Sequence, residues 1–190
     1  MTYTPDAIRA ITLSTLRLPL PVPISDAKVF TGRQKPMTEG EFLIAEIETA
    51  QGPSGHGFSY SKRAGGPAQY AHAKEVAGAA IGEDPNDIQK LYTKLLWAGA
   101  SVGRSGVATQ ALAALDIALY DLKAKRAGLP LSKLLGAHRD SVRTYNTSGG
   151  FLNASLDEVL ARASQSIEEG IGGIKIKVGL PDSAEDLRRV

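Results

Sequence analysis

The order of predicted elements changes at Gly136, and this change limits the folds open to the 190-residue chain more than any other feature. Before it, alternating apolar residues predict three strands of an antiparallel meander, with a polar, basic loop at 25–35 between the first two and a turn at 51–54 before the third. Helices follow, and Leu and Ala at helical spacing predict the longest from Val107 to Arg126. The strands are predicted at 8–20, 41–49 and 55–60, and the other helices at 68–80 and from 88 onward. The first 136 residues therefore predict a complete α+β domain.

After Gly136, strands and helices alternate, as in a parallel sheet or a (β/α) barrel. Strands are predicted at 142–147 and 174–178. Ser155 and Glu158 form a capping box that starts a helix running to Glu169, and another helix is predicted from Ser183. Two strands can neither close a barrel nor bury both faces of a sheet, so we expect this second domain to be truncated.

The composition excludes several classes of protein. The chain has no cysteine, which excludes disulfide scaffolds, cysteine zinc sites, iron–sulfur clusters and thiol nucleophiles. The net charge of +2 is too small to indicate a nucleic-acid partner. No stretch approaches the roughly 18 apolar residues of a membrane span, and residues 1–10 lack the features of a signal peptide. We therefore expect a cytoplasmic protein that binds neither nucleic acid nor membrane.

The sharpest candidate for a site is Lys175-Ile176-Lys177 in the last predicted strand. Alternate residues of a strand share a face, so both lysines should point toward a barrel interior or a cleft, while Ile174, Ile176 and Val178 point the other way. The Cα atoms of the two lysines would lie about 7 Å apart. Two ammonium groups on one face disfavour each other's charge, which would suit one of them to act as a general base. The alternative is an exposed edge strand protected by its lysines.

Two features together resemble the mandelate racemase / muconate lactonising branch of the enolase superfamily. They are the sequence of the long helix and its end (114–123, 128–131 and 134–136) and the Lys-x-Lys strand that follows. Longer strings are similar to the acid-sugar dehydratases of this branch that act on galactarate and L-talarate, and they lie at 25–28, 31–36, 58–66, 97–106 and 145–150. The resemblance implies that residues 1–136 are an N-terminal capping domain. It implies that residues 137–190 are the incomplete start of a modified (β/α) TIM barrel.

The resemblance also implies a Mg²⁺-dependent dehydration of a six-carbon aldaric acid. A base would remove the proton alpha to a carboxylate, Mg²⁺ would stabilise the enediolate, and a β-hydroxyl would leave as water. Lys177 would be the base, and Lys175 would tune it and help to hold the substrate carboxylate. The metal ligands and an opposing histidine would come from strands after Val190, so this chain alone should lack activity. We also expect a homo-oligomer.

By the same resemblance, two loops and one strand would contact the substrate. The loops would bind the distal carboxylate of the diacid, because a dicarboxylate needs a second cationic clamp away from the lysine pair. The candidate residues are Asp26, Ala27, Lys28, Lys62, Arg63 and Asn146. Ordinary solvated surface is the alternative for the loop charges. Asn146 would hydrogen-bond a substrate hydroxyl or, alternatively, satisfy local backbone groups.

Two other functions remain open at the level of sequence. The same lysine pair could serve a racemase, an epimerase or a cycloisomerase. The basic loops could instead belong to a non-catalytic module that binds a polyanion, which would show a steep dependence of binding on salt.

Overall fold

The computed structural model describes residues 6–190. The first five residues, part of the segment tested for a signal peptide, lie outside the described residues. Backbone contacts divide the chain into two compact units. The first contains the chain up to Leu18 together with Gly40–His138, and the second contains Pro19–Glu39 and Arg139–Val190. The capping and barrel domains, with their predicted boundary at residue 136, stay a prediction.

A three-stranded sheet forms one layer of the first unit, in the order β1-β2-β3. The strands are β1 (Ile8–Ile24), β2 (Met37–Thr49) and β3 (Gly55–Ser61). β2 and β3 are antiparallel, with Leu43 opposite Ser59, so the predicted meander is confirmed. Apolar residues alternate along β2, and Leu43, Ala45 and Ile47 are buried. β1 ends later and β2 begins earlier than predicted.

One helix of this unit packs against β3, and the other helices pack against that helix. The helices are α2 (Gly66–Ala77), α3 (Ile88–Ala98), α4 (Val107–Ala127) and α5 (Leu131–Leu134). The predicted helices of this unit are confirmed within a few residues. Helix α4 is central, since Ala111, Ala114, Leu115 and Ala118 are fully buried in the core. It ends at Gly128, whose φ of 63° is a left-handed conformation that glycine adopts without strain.

Helix α4 and strand β3 approach each other closely because β3 carries glycine at two inward positions. A Cβ atom added to Gly57 would overlap the carbonyl oxygen of Ala114, and one added to Gly55 would overlap that of Ala118. Both carbonyl groups belong to alanines, and the side chains of Leu122 and Ile117 lie beside them. This glycine–alanine seam sets the distance between sheet and helix.

The second unit contains two parallel strands, β4 (Asn146–Gly150) and β5 (Ile174–Ile176), each followed by a helix. The helices are α6 (Leu156–Glu168) and α7 (Ser183–Arg189). Ser155 and Glu158 form the predicted capping box at the start of α6. The predicted alternation of strands and helices is therefore confirmed. Among the described residues, no helix is both long and apolar enough to cross a membrane.

Three local predictions in this unit were wrong. β4 begins at Asn146 rather than at residue 142, because pairing with Ile174 of β5 starts there. β5 ends at Ile176 rather than at Val178, so Lys177 follows the strand. The polar segment 25–35, predicted as a loop, contains the short helix α1 (Ala27–Phe30), which the Asp26 side chain caps.

Candidate functional site

A cleft of about 320 Å³ lies in the second unit, where β4 and β5 end. It is lined by Asp26, Ala27, Lys28, Leu152, Lys175, Ile176, Lys177 and Val178. Five of these were predicted from the sequence as site residues, and the structure brings them together. The carboxyl ends of parallel strands are where βα folds place their active sites.

Lys175 and Lys177 reach this cleft from one end of β5. Lys175 is exposed, whereas Lys177 is half-buried. The backbone N–H of Lys177 donates to the carbonyl of Gly150 at 2.8 Å, which fixes its main chain beside the end of β4. The Lys177 ammonium nitrogen lies 5.0 Å from the centre of the Phe151 ring, a cation–π contact. Phe151 is not among the site residues predicted from the sequence.

The cleft carries an excess of positive charge. Lys28, Lys175 and Lys177 line it together with one carboxylate, that of Asp26. Across residues 6–190, none of these three ammonium groups forms an ion pair. Three cations beside one carboxylate give this concave site a net positive charge, which can bind a carboxylate or a larger polyanion.

The segment that carries Lys28 is held by two side chains. The Asp26 Oδ1 atom accepts from the backbone N–H of Lys28 at 3.0 Å and of Val29 at 3.4 Å, so at least part of this carboxylate serves the helix cap. The amide of Asn153 accepts from Ser25 N–H and donates to Pro23 carbonyl, each at 3.4 Å. The loop after β4 therefore touches the segment before α1.

The remaining predicted residues do not line this cleft. Asn146 donates from Nδ2 to the Ser166 hydroxyl at 3.0 Å and accepts from Ser148 N–H at 2.8 Å, which supports the alternative that it satisfies local groups. Lys62 and Arg63 follow β3 in the first unit, and the Lys62 ammonium lies 5.9 Å from the Tyr60 ring centre. The substrate contacts of these three residues stay predictions.

Two carboxylates on α4 have shifted pKa values, and both lie in the first unit. Burial raises the pKa of Asp116 above its ordinary value. Burial alone would also raise the pKa of Asp121, but the Lys125 ammonium and the His56 backbone N–H bind the carboxylate and lower its pKa overall. These contacts explain the lowered pKa of Asp121, so a catalytic role is not needed to account for it.

In the part of the chain that the structure describes, no group of three or more His, Asp or Glu side chains is placed to hold a metal ion.

Residues 22–136 match the model of the mandelate racemase / muconate lactonizing enzyme family, N-terminal domain. The chain is 66% identical over 187 residues to the L-talarate/galactarate dehydratase of Salmonella typhimurium LT2, covering 98% of this chain and 47% of that enzyme. The solved structure of that dehydratase with Mg and L-lyxarohydroxamate has a TM-score of 0.95 at 67% identity, over 98% of this chain and 48% of the other. A 3,6-anhydro-alpha-L-galactonate cycloisomerase of Streptomyces coelicolor is 34% identical over 96% of this chain and 49% of its own length.

These matches agree with the meander of strands, the helices and the parallel βα units. Residues 22–136 have the fold of the N-terminal capping domain of the enolase superfamily. The chain belongs to the mandelate racemase / muconate lactonizing enzyme family. It spans about half the length of the curated relatives it matches.

Proposed function

We propose that this chain supplies the capping domain and the lysine base of a dehydratase that acts on a six-carbon aldaric acid such as galactarate or L-talarate. The observation that carries this proposal is the cleft in which Lys28, Lys175 and Lys177 lie together without an ion-pair partner among residues 6–190. The name of the Salmonella relative supports the substrate class.

Lys177 would act as the base in its neutral amine form, in which the lone pair of Nζ takes the proton alpha to a substrate carboxylate. That proton is only weakly acidic, so the negative charge that develops on the carboxylate has to be met by fixed positive charge. Lys175, which lines the same cleft, would hold the carboxylate and supply part of that charge. The electron pair then expels the β-hydroxyl, which takes up a proton and leaves as water, and the resulting enol converts to a keto acid.

Lys28 would bind the distal carboxylate of the diacid, and Asp26 would keep Lys28 in place by capping α1. We extend the substrate contacts to Lys62 and Arg63 in the loop after β3, on the resemblance alone. For Asn146, whose amide bonds Ser148 and Ser166, a contact with a substrate hydroxyl likewise rests on the resemblance alone.

The Salmonella dehydratase binds Mg, but the described part of this chain offers no cluster of carboxylates that fits one. In our proposal the metal ligands therefore lie outside these 190 residues, and this chain contributes only its lysines to the chemistry.

The test compares this chain alone with a completed enzyme, in which these residues are joined to the C-terminal half of the Salmonella dehydratase. We expect the completed enzyme to release the keto acid from galactarate and the chain alone to release none. Lys177→Ala and Lys177→Arg should each lower kcat about 10²- to 10⁴-fold, since neither side chain can serve as the base. Lys74→Ala, at an exposed lysine of the first unit, is the matched control. Turnover by the chain alone, or by Lys177→Ala at the wild-type rate, would contradict the proposal.

A second candidate function is racemisation or cycloisomerisation, which the Streptomyces cycloisomerase favours. Both functions begin with removal of the same proton, so NMR of the reaction in D₂O separates them. Exchange of the α-proton without loss of water would favour the second candidate.

A further inference from the structure

Two charged side chains of α7 bind the loops that follow β4 and β5. Asp186 Oδ2 accepts from the backbone N–H groups of Gly179 at 2.7 Å and Leu180 at 3.1 Å. Arg189 donates to the carbonyl oxygens of Ala154 at 2.8 Å and Phe151 at 2.7 Å. The two residues are three positions apart, so they lie on one face of the helix. One short helix thus connects both loops.

These loops begin with the two members of the cation–π pair. Phe151 directly follows the last residue of β4, and Arg189 holds its carbonyl. Lys177 directly follows the last residue of β5, two residues before the Gly179 N–H that Asp186 binds. The position of the Lys177 ammonium relative to Phe151 therefore depends on both contacts.

Each of the two side chains has one polar atom without a hydrogen-bond partner, which is unusual for groups with only a packing role. Arg189 is only 5% exposed, and within the described residues neither it nor Asp186 forms an ion pair. Arg189 Nε and Asp186 Oδ1 are buried without a hydrogen-bond partner in this structure. Burying charged groups without full hydrogen bonding lowers the stability of the fold. Groups of this kind are expected at sites where function requires a fixed geometry. By contrast, Arg188 and Glu185 of the same helix form an ordinary surface ion pair.

We propose that Asp186 and Arg189 are positioning residues for Lys177. They hold the loops after β4 and β5 so that the Lys177 ammonium stays over the Phe151 ring and beside the cleft. This inference rests on the proposed function for its catalytic consequence, whereas the position of Lys177 can be measured separately.

The kinetic test uses the completed enzyme with Asp186→Ala and Arg189→Gln. Each should lower kcat on galactarate about 10- to 100-fold with little change in KM, because misplacing a base by about 1 Å has an effect of this size. Asp186→Asn should recover part of the rate, since its amide oxygen can still accept from Gly179 N–H. The control is the double variant Glu185→Gln/Arg188→Gln, which alters the exposed pair on the same helix and should retain the wild-type kcat.

A second measurement follows Lys177 directly. Brief acylation with acetic anhydride, read by mass spectrometry, should label Lys177 several-fold faster in Asp186→Ala and Arg189→Gln than in the control, with the exposed Lys74 as internal reference. All assays are run where circular dichroism shows each variant folded. Unchanged kcat and unchanged Lys177 labelling in folded variants would overturn the inference. Failure of the proposed function would give a different result: an inactive wild-type completed enzyme or an active Lys177→Ala variant. In either case, the labelling of Lys177 would still decide whether Asp186 and Arg189 position it.

Discussion

The ammonium nitrogen of Lys177 lies 5.0 Å from the centre of the Phe151 ring, although the two residues follow different strands. A cation–π contact at a partly exposed position contributes about 0.5–1 kcal/mol. Phe151→Leu removes the aromatic face and keeps the side chain apolar. If the ring holds the base in place, this variant of the completed enzyme should have a kcat about two- to fivefold lower. Phe151→Tyr should match the wild type in steady-state kinetics with galactarate, and a Leu variant equal to Tyr would exclude the role of the ring.

Replacing Lys28 should weaken the binding of diacids more than that of monoacids. Lys28 lines the cleft but is exposed, so we expect Lys28→Met to raise the Kd of galactarate only about two- to tenfold. Galactonate lacks one of the two carboxylates and should bind Lys28→Met and wild type more equally. Isothermal titration calorimetry of the completed enzyme measures both. Arg33→Gln, on the same basic segment but outside the cleft lining, is the control. Equal weakening of both acids would show that Lys28 does not bind the distal carboxylate.

Gly57→Ala should destabilise the first unit, because the new methyl group would overlap the backbone of α4 at Ala114. Overpacking of this kind costs about 1–3 kcal/mol, which lowers Tm by about 2–12 °C in a chain of this length. The matched control is Gly78→Ala, where φ is −57° and an added methyl group meets nothing within 4 Å. Thermal unfolding followed by circular dichroism should show a loss for Gly57→Ala and none for Gly78→Ala.

The stability of the chain should fall at acidic pH partly through Glu83. Hydrogen bonds from Lys94 and Lys90 lower the pKa of Glu83 from its ordinary 4.5 to about 2. Because the folded state holds the charged form more strongly, this stabilisation is fully present above about pH 4.5 and is lost as the pH falls toward about 2. Glu83→Gln should therefore be less stable than wild type near neutral pH, and the difference should shrink on acidification.

Urea unfolding at several pH values checks this prediction. Glu75→Gln, at an exposed carboxylate on α2, is the control and should follow the wild-type curve throughout. If Glu83→Gln lowered the free energy of unfolding by the same amount at every pH, the predicted dependence of stability on the ionisation of Glu83 would be wrong.

Much of the fold could be predicted because local signals decide it. The Ser155–Glu158 capping box and the Gly128 helix end each depend on residues within one turn. The bounds of β4 could not be predicted from local signals. Residues 142–144 have the higher strand propensity, yet the strand includes Gly149 and Gly150 because its partner β5 determines which residues pair.

The candidate site could be predicted only in part for a related reason. Lys175 and Lys177 could be identified because they are two residues apart at the end of β5, where both line the same cleft. Phe151, Asp186 and Arg189 could not, because they act through contacts between loops that are distant in sequence. Asp26 lies directly before α1 and caps it, a role that differs from both the substrate contact implied by the resemblance and its alternative, solvated surface.

The glycine–alanine seam between β3 and α4 limits the substitutions that this chain can accept during evolution. At most protein contacts, a larger side chain on one surface can be accommodated by a smaller one opposite. At Gly57 and Ala114 the obstacle is the backbone of α4 itself, so shrinking the helix side chain cannot make room for a substitution on the strand. No side-chain substitution on α4 can therefore compensate for a larger residue at Gly57. We expect sequence divergence to be confined to surfaces away from the seam.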